Sequence, residues 1–187
     1  GVIAAASYQA RCYGIRSAMS SVLAKKKCSQ LIFIKPRFDR YKEISNKIRD
    51  IFFEYTDLVE PLSLDEAFLD VTVNKKNILL ASQIATNIRN KIKKEIGLTA
   101  SAGISINKFT AKVATEINKP NGQKTIHPDR LEAFLNKLAI DKFFGVGKVT
   151  AKKMNKLGIY KGIDLRAKSL NFLEEKFGKI GKSFYEI

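Results

Sequence analysis

Two adjacent carboxylates, Asp65 and Glu66, sit inside an apolar, strand-like run, Pro61-Leu62-Ser63-Leu64-Asp65-Glu66-Ala67-Phe68-Leu69-Asp70. An ionised carboxylate is costly to bury without a partner, so acids in this setting ask for a counter-charge. A divalent cation is a natural one. Hard cations such as Mg²⁺ take oxygen ligands, commonly one or two carboxylates completed by phosphate oxygens. On a straight strand the two side chains would point to opposite faces; at a hairpin tip both can approach one ion. Two-metal phosphoryl transfer needs such clustered carboxylates, because the ions sit about 3.5–4 Å apart while bridging substrate oxygens. A solvated acidic turn is the plain alternative, and the apolar flanks weigh against it. Asp70 alternates in phase with Phe68 and Thr72 and reads as structural.

The remaining residues with chemistry to offer are cationic or anion-binding. Tyr8, Arg11 and Arg16 lie near the small residues Ala4 to Ser7. Arg presents a planar fork to phosphate oxygens and Tyr a hydroxyl donor, and small neighbours let a flat base lie close to the backbone. An ordinary basic surface has the same composition. A second group is Asn107-Lys108, Lys112 and Asn118-Lys119-Pro120-Asn121-Gly122. Lys119, beside a turn that fixes it, suits a phosphate. Lys108 and Lys112 share a helical face at i,i+4 spacing, where like charges repel slightly; that is tolerable in solvent and useful beside a polyanion. The third is Phe143-Phe144-Gly145-Val146-Gly147-Lys148-Val149-Thr150-Ala151-Lys152-Lys153. Its glycines let backbone N–H groups converge into an anion nest, and the following helix N-terminus adds positive potential. Lys148, Lys152 and Lys153 supply counter-charge. A helix-hairpin-helix grips a nucleic-acid backbone in this way without reading sequence. A glycine-capped helix pair is the structural alternative, and a Walker-type loop is disfavoured by the glycine–lysine spacing.

Composition narrows the partner. Lys and Arg total 34 against 18 Asp and Glu, a net charge of +16, which points to a polyanion, most often nucleic acid. With 187 residues and 45% hydrophobic content, the chain is a folded protein with room for two or three small modules. No apolar run is long enough to span a bilayer, so no membrane partner is expected, and no signal peptide is visible. Cys12 and Cys28 lack metal-site spacing and fit a reducing, cytoplasmic setting. His127 is the only histidine. It precedes Pro128 where a helix starts, which disfavours histidine-based catalysis.

These groups must be positioned by an interleaved set of elements. Gly1 to Ala6 is strand-like, and a short helical segment is predicted around Ser17, Ala18 and Met19. Gln30 to Lys35 reads as a strand closed by Pro36, and Phe38 to Tyr55 as an amphipathic helix. Leu58 to Val73 gives two short strands around a tight turn near Ser63 to Glu66. Ile78 to Ile96 is a helix with Ile84, Ile88 and Ile92 as its stripe and Gly97 as its stop. Leu98 to Ile106 reads as a buried strand, Asn107 to Asn118 as a helix, Pro120 to Gly122 as a turn, and Gln123 to Ile126 as an edge strand. From Pro128 the pattern changes to short helices with glycine punctuation, so two architectures follow one another.

Taken in order, these constellations resemble the Y-family translesion DNA polymerases, most closely the bacterial DNA polymerase IV branch. The resemblance rests on Tyr8 to Met19, Pro61 to Thr72, Thr99 to Lys112, Asn118 to Gln123 and Gly145 to Lys153. It implies an α+β fold: a polymerase palm, with an antiparallel sheet and helices on one face, followed by a small all-helical thumb carrying a helix-hairpin-helix. The fingers would end over residues 1–38, the palm occupy 39–128 and the thumb 129–187. It makes Asp65 and Glu66 the catalytic, metal-binding acids, with two Mg²⁺ ions expected. Tyr8, Arg11 and Lys119 would contact the incoming triphosphate, and Gly145, Gly147 and Lys148 would hold DNA backbone. The family's first palm strand, with a further metal-ligand aspartate and an aromatic residue that excludes ribonucleotides, is expected upstream of Gly1. Its C-terminal DNA-gripping domain is expected beyond Ile187. Ala5 stands where many relatives place a hydroxyl residue near the phosphates.

The expected function is template-directed, error-prone DNA synthesis on primer–template DNA from deoxynucleoside triphosphates. The protein is expected to be a monomer, with sliding-clamp contact through sequence beyond Ile187. Two alternatives are a DNA-binding unit without catalysis of its own and a nucleotide cyclase built on a related palm-like sheet.

Overall fold

A computed structural model of the chain describes residues 1–187. It divides into two compact units, residues 1–43 and 44–187.

In the first unit, Ser7 caps helix α1 (Tyr8–Cys12), its hydroxyl accepting from the Ala10 N–H at 3.2 Å. Ser20 caps α2 (Ser21–Lys27) through the Leu23 N–H at 3.1 Å. Such caps satisfy N–H groups that the first turn of a helix leaves orphaned. The predicted helix around Ser17 to Met19 is absent. Ala18 adopts φ 64° there, and residues 18–19 exchange backbone hydrogen bonds with Ile3 at 2.8 and 2.9 Å. Gly1 to Ala6, expected as a strand, contributes only the isolated antiparallel bridge that those bonds flank, Val2 to Ser20. Gln30 to Lys35 is not a strand either: Ile32 and Ile34 are each 83% exposed and the segment joins no ladder. Alternation marks a segment fit for pairing, but a strand exists only when a neighbour takes its backbone bonds. Helix α3 (Phe38–Phe53) contains the boundary between the units.

The second unit holds the acidic hairpin. Strands β1 (Val59–Pro61) and β2 (Ala67–Leu69) pair antiparallel, with Glu60 opposite Phe68. Helix α4 (Ala81–Ile96) buries Ile84, Ile88 and Ile92 against Ile51 and Tyr55, and Gly97 ends it at φ 78°. Strand β3 (Ala102–Ile104), helix α5 (Lys108–Ile117) and strand β4 (Gln123–Thr125) form a crossover unit. Its two strands pair parallel, as a helical crossover requires. The sheet is therefore not one antiparallel layer. It is two two-stranded pieces, one antiparallel and one parallel. The crossover is tight at Gly103, where a Cβ would stand 1.9 Å from the Ala111 carbonyl oxygen.

From Pro128 onward the chain is helical: α6 (Pro128–Lys137), a 3₁₀ turn (Ile140–Lys142), α7 (Lys148–Lys156), α8 (Gly162–Arg166), α9 (Leu170–Phe177) and α10 (Lys179–Glu186). His127 occupies the α6 cap position without a side-chain cap bond. Ile140, Phe143, Val146, Met154, Leu173 and Phe184 anchor a separate core, against which Phe109 of α5 also packs. No helix is long and apolar enough to cross a membrane.

Candidate active site and nucleic-acid interface

The β1–β2 turn closes when the Leu62 and Ser63 N–H groups both donate to the Glu66 carbonyl, at 2.9 and 3.2 Å. Ser63 then folds over the tip. Its hydroxyl donates to Asp65 Oδ1 at 2.7 Å and accepts from the Asp65 N–H at 3.3 Å, a local bond pattern typical of serine and aspartate in turns. Asp65 is exposed and Glu66 half-buried. The adjacent acids thus occupy a hairpin tip, but the premise of two buried charges is corrected, because Asp65 lies in solvent. Glu66 also has a protein counter-charge, the ammonium of Lys112 on α5.

One turn earlier on α5, Lys108 pairs with Glu60. The two lysines expected to repel one another on a solvated face are each neutralised by an acid of the hairpin.

Asp70 is structural, as its alternation implied. It accepts from the Thr72 N–H at 2.9 Å, and its carbonyl accepts the hydroxyl of buried Thr56 at 2.6 Å. The Thr72 hydroxyl, and then its N–H, hold the Asp70 carboxyl below the usual carboxylate range. Behind the hairpin, hydrogen bonding to Lys91 does the same for Glu54, opposed by burial, and the pairing raises Lys91.

Whether the tip suits a divalent cation is a question of donors. No group of three His, Cys, Asp or Glu side chains is gathered anywhere in the 187 residues. Asp65 and Glu66 are two hard oxygen donors on consecutive residues, the number Mg²⁺ takes when substrate phosphates complete its shell. The residues fit that kind of site.

Lys119 follows α5 and holds Glu116 at 2.5 Å. Its turn is fastened by Arg89 of α4, which sequence reasoning missed. The guanidinium donates to the Ala100 carbonyl at 3.0 Å, Gln123 Oε1 at 3.2 Å, the Asn121 carbonyl at 2.6 Å and Asn121 Oδ1 at 3.1 Å. Nothing local in the sequence signals this, since these acceptors lie 11 to 34 residues away.

In the first unit, Tyr8 is exposed on α1 and Arg11 Nε donates to the Ala6 carbonyl at 3.1 Å. Arg16 Nη1 donates to the Arg11 and Ile15 carbonyls at 2.6 and 2.8 Å, so Arg16 ties the turn after α1.

The Gly145–Lys148 segment is a glycine turn leading into α7. Val146 is buried in the helical core with Phe143 and Met154, and its N–H donates to the Phe143 carbonyl at 3.0 Å. Gly145 sits at φ 86°, where side chains are strained. Gly147 begins α7, and a Cβ on either glycine would meet nothing within 4 Å. The backbone here faces open space with exposed Lys148 and Lys152 beside it. Lys153 differs: its ammonium donates to the Lys176 carbonyl and lies 5.0 Å from the Phe177 ring centroid. It ties α7 to the end of α9. The hairpin also reaches α5, with the Phe109 and Phe143 ring centroids 5.4 Å apart.

Comparison with known proteins covers all of these residues. The impB/mucB/samB family model matches residues 1–116, and the IMS family HHH motif model matches residues 128–159. The chain is 59% identical over 187 residues to DNA polymerase IV 2 of Agrobacterium fabrum, covering 100% of this chain and 52% of that protein. It is 56% identical over 186 residues to DNA polymerase IV of Bacteroides fragilis, covering 100% and 51%. The chain spans about half the length of the curated relatives it matches. Among solved structures, DinB from Sulfolobus solfataricus superposes with a TM-score of 0.88 at 32% identity, covering 100% of this chain and 56% of that one. An insertion ternary complex of Dbh DNA polymerase gives 0.86 at 33%, with 100% and 56% covered.

Proposed function

The chain belongs to the impB/mucB/samB family, on the DNA polymerase IV branch of the Y-family polymerases, and we propose that the protein is a DNA-directed DNA polymerase of the error-prone translesion type. The observation that carries this reading is the β1–β2 turn, which presents Asp65 and Glu66 together at a hairpin tip. In this reading the two carboxylates hold divalent ions, two Mg²⁺ by number. Bound there, such ions would supply neutralisation of the charge on the triphosphate and the departing pyrophosphate. Lys119, on a turn that Arg89 immobilises, supplies a positioned cation for the triphosphate. In the first unit, Arg11 and Tyr8 offer a guanidinium and a hydroxyl suited to phosphate oxygens. The open backbone at Gly145 and Gly147, with Lys148, grips DNA phosphates irrespective of base sequence. The substrates are primer–template DNA and deoxynucleoside triphosphates, and the protein works as a monomer in the cytoplasm. The fingers, palm and thumb then occupy residues 1–38, 39–128 and 129–187.

Primer extension by the full-length protein tests the site. Asp65→Ala and Glu66→Ala should each lower the rate on the order of a hundredfold or more, as the loss of several kcal/mol of charge stabilisation implies. Near-normal synthesis by either variant refutes the assignment.

One observation favours a second reading for these 187 residues taken alone. Glu66 already has a counter-charge in Lys112, so the tip is stable without metal, and the chain would bind DNA without catalysing synthesis. Nucleotide incorporation by the 187-residue chain excludes this reading.

A further inference from the structure

Lys112 makes two contacts that a solvated basic helix face does not explain. Its ammonium donates to Glu66 Oε1, and the same nitrogen stands 5.7 Å from the ring centroid of Phe144. Its side chain is only 15% exposed, against 61% for Lys108 one turn earlier. The Lys108–Glu60 pair is a surface ion pair of small worth, whereas Lys112 is held largely out of water. Helix α5 is a firm base for it: Thr110, Val113 and Ala114 are buried, and Phe109 packs on Phe143. An ammonium on Glu66 is a resident cation where a divalent ion is to bind. Two cations sharing one carboxylate repel, and the repulsion grows as water is excluded.

We propose that Lys112 is a positioning residue for the polymerase reaction, a resident counter-ion that holds Glu66 in place and yields it to the divalent cation. This rests on the reading of Asp65 and Glu66 as metal ligands. Before metal binds, Lys112 fixes the Glu66 side chain against α5 and keeps the hairpin tip from self-repulsion. When metal binds, the carboxylate changes partner and the ammonium keeps Phe144. Its charge then stands beside the Gly145–Lys148 hairpin, where it adds to the cations facing DNA phosphate. The same side chain thus links the acidic tip to the thumb.

Mn²⁺ binding to the full-length protein, read by electron paramagnetic resonance without DNA or nucleotide, tests this. Lys112→Met should tighten Mn²⁺ binding about three- to fivefold, the effect of removing a partly screened competing charge. Lys112→Arg should bind as wild type does. Phe144→Leu, which removes the partner the ammonium keeps after it yields Glu66, should weaken binding about twofold. In a Glu66→Gln background, Lys112→Met should change nothing. A merely structural lysine predicts unchanged or weaker Mn²⁺ binding in Lys112→Met, and a thermal melt of each variant confirms that it is folded. If Asp65→Asn and Glu66→Gln weaken Mn²⁺ binding while Lys112→Met does not tighten it, the role of Lys112 is overturned and the metal reading stands. If neither acid variant weakens binding, the metal reading is overturned and the inference with it.

Discussion

Asp70 and Asp65 lie five residues apart, yet their surroundings give them different work. Asp70 is held by the Thr72 hydroxyl and N–H, which keep its carboxyl below the ordinary range. A folded-state value below the unfolded one means that the stabilisation is present above the ordinary carboxylate value of about 4. It is lost as pH falls through the lower folded value. Asp70→Asn should therefore lower the melting temperature at pH 7 and flatten its fall between pH 5 and the acid limit. Melts across that range check it, and an unchanged midpoint at pH 7 tells against it. Arg89 gives a second residue-scale expectation. Arg89→Ala frees the turn carrying Lys119, and losing hydrogen bonds to partly buried acceptors costs about 1–3 kcal/mol. In nucleotide-incorporation kinetics the variant should raise KM for the nucleotide several-fold while kcat changes less. Arg89→Lys should restore little, because an ammonium lacks the planar fork. The Asp65–Glu66 pair was legible in the sequence because adjacency is local. Its partner Lys112, and Arg89 behind Lys119, were not, because those contacts are made between distant segments.

The elements read most reliably were those with their own periodicity and caps. The stripe of Ile84, Ile88 and Ile92 and the Gly97 stop announce themselves within a few residues. The hairpin at residues 59–69 was equally legible, because its turn chemistry is local. Gln30 to Lys35 misled, because its Leu-Ile-Phe-Ile run satisfies a strand pattern while no neighbour takes its backbone bonds. Leu98 to Ile106 was trimmed to Ala102–Ile104 for a related reason: pairing with β4 covers only three residues. The parallel pairing makes its own prediction. A methyl at Gly103 would meet the Ala111 carbonyl oxygen at 1.9 Å and the Thr115 nitrogen at 2.5 Å, backbone atoms of α5 that have no rotamer to escape into. Gly103→Ala should cost about 3 kcal/mol or more of stability, since overpacking at a rigid contact is not relieved. A urea melt reads this directly, and a midpoint within error of wild type would sink the tight-crossover account.

For the whole molecule, the net charge of +16 means that the proposed DNA binding should be dominated by counter-ion release. Affinity for primer–template DNA should fall steeply with salt, with log K linear in log salt. Lys148→Ala should reduce that slope by about 1 while weakening binding to every sequence alike. A fluorescence-anisotropy titration over several salt concentrations checks both. Much of this was available from sequence alone: the polyanionic partner, the change to short helices at Pro128, the acidic hairpin and the glycine hairpin. Each is written in composition or in residues a few positions apart, where propensity, capping and turn chemistry act. Tertiary structure alone decided that the strands form two small pieces rather than one sheet, that Lys153 bonds to the Lys176 carbonyl while Lys148 stays exposed, and that Lys112 meets Glu66 across 46 residues. Such pairings depend on how packed helices and crossovers bring remote segments together, and no local pattern of residue types encodes that distance.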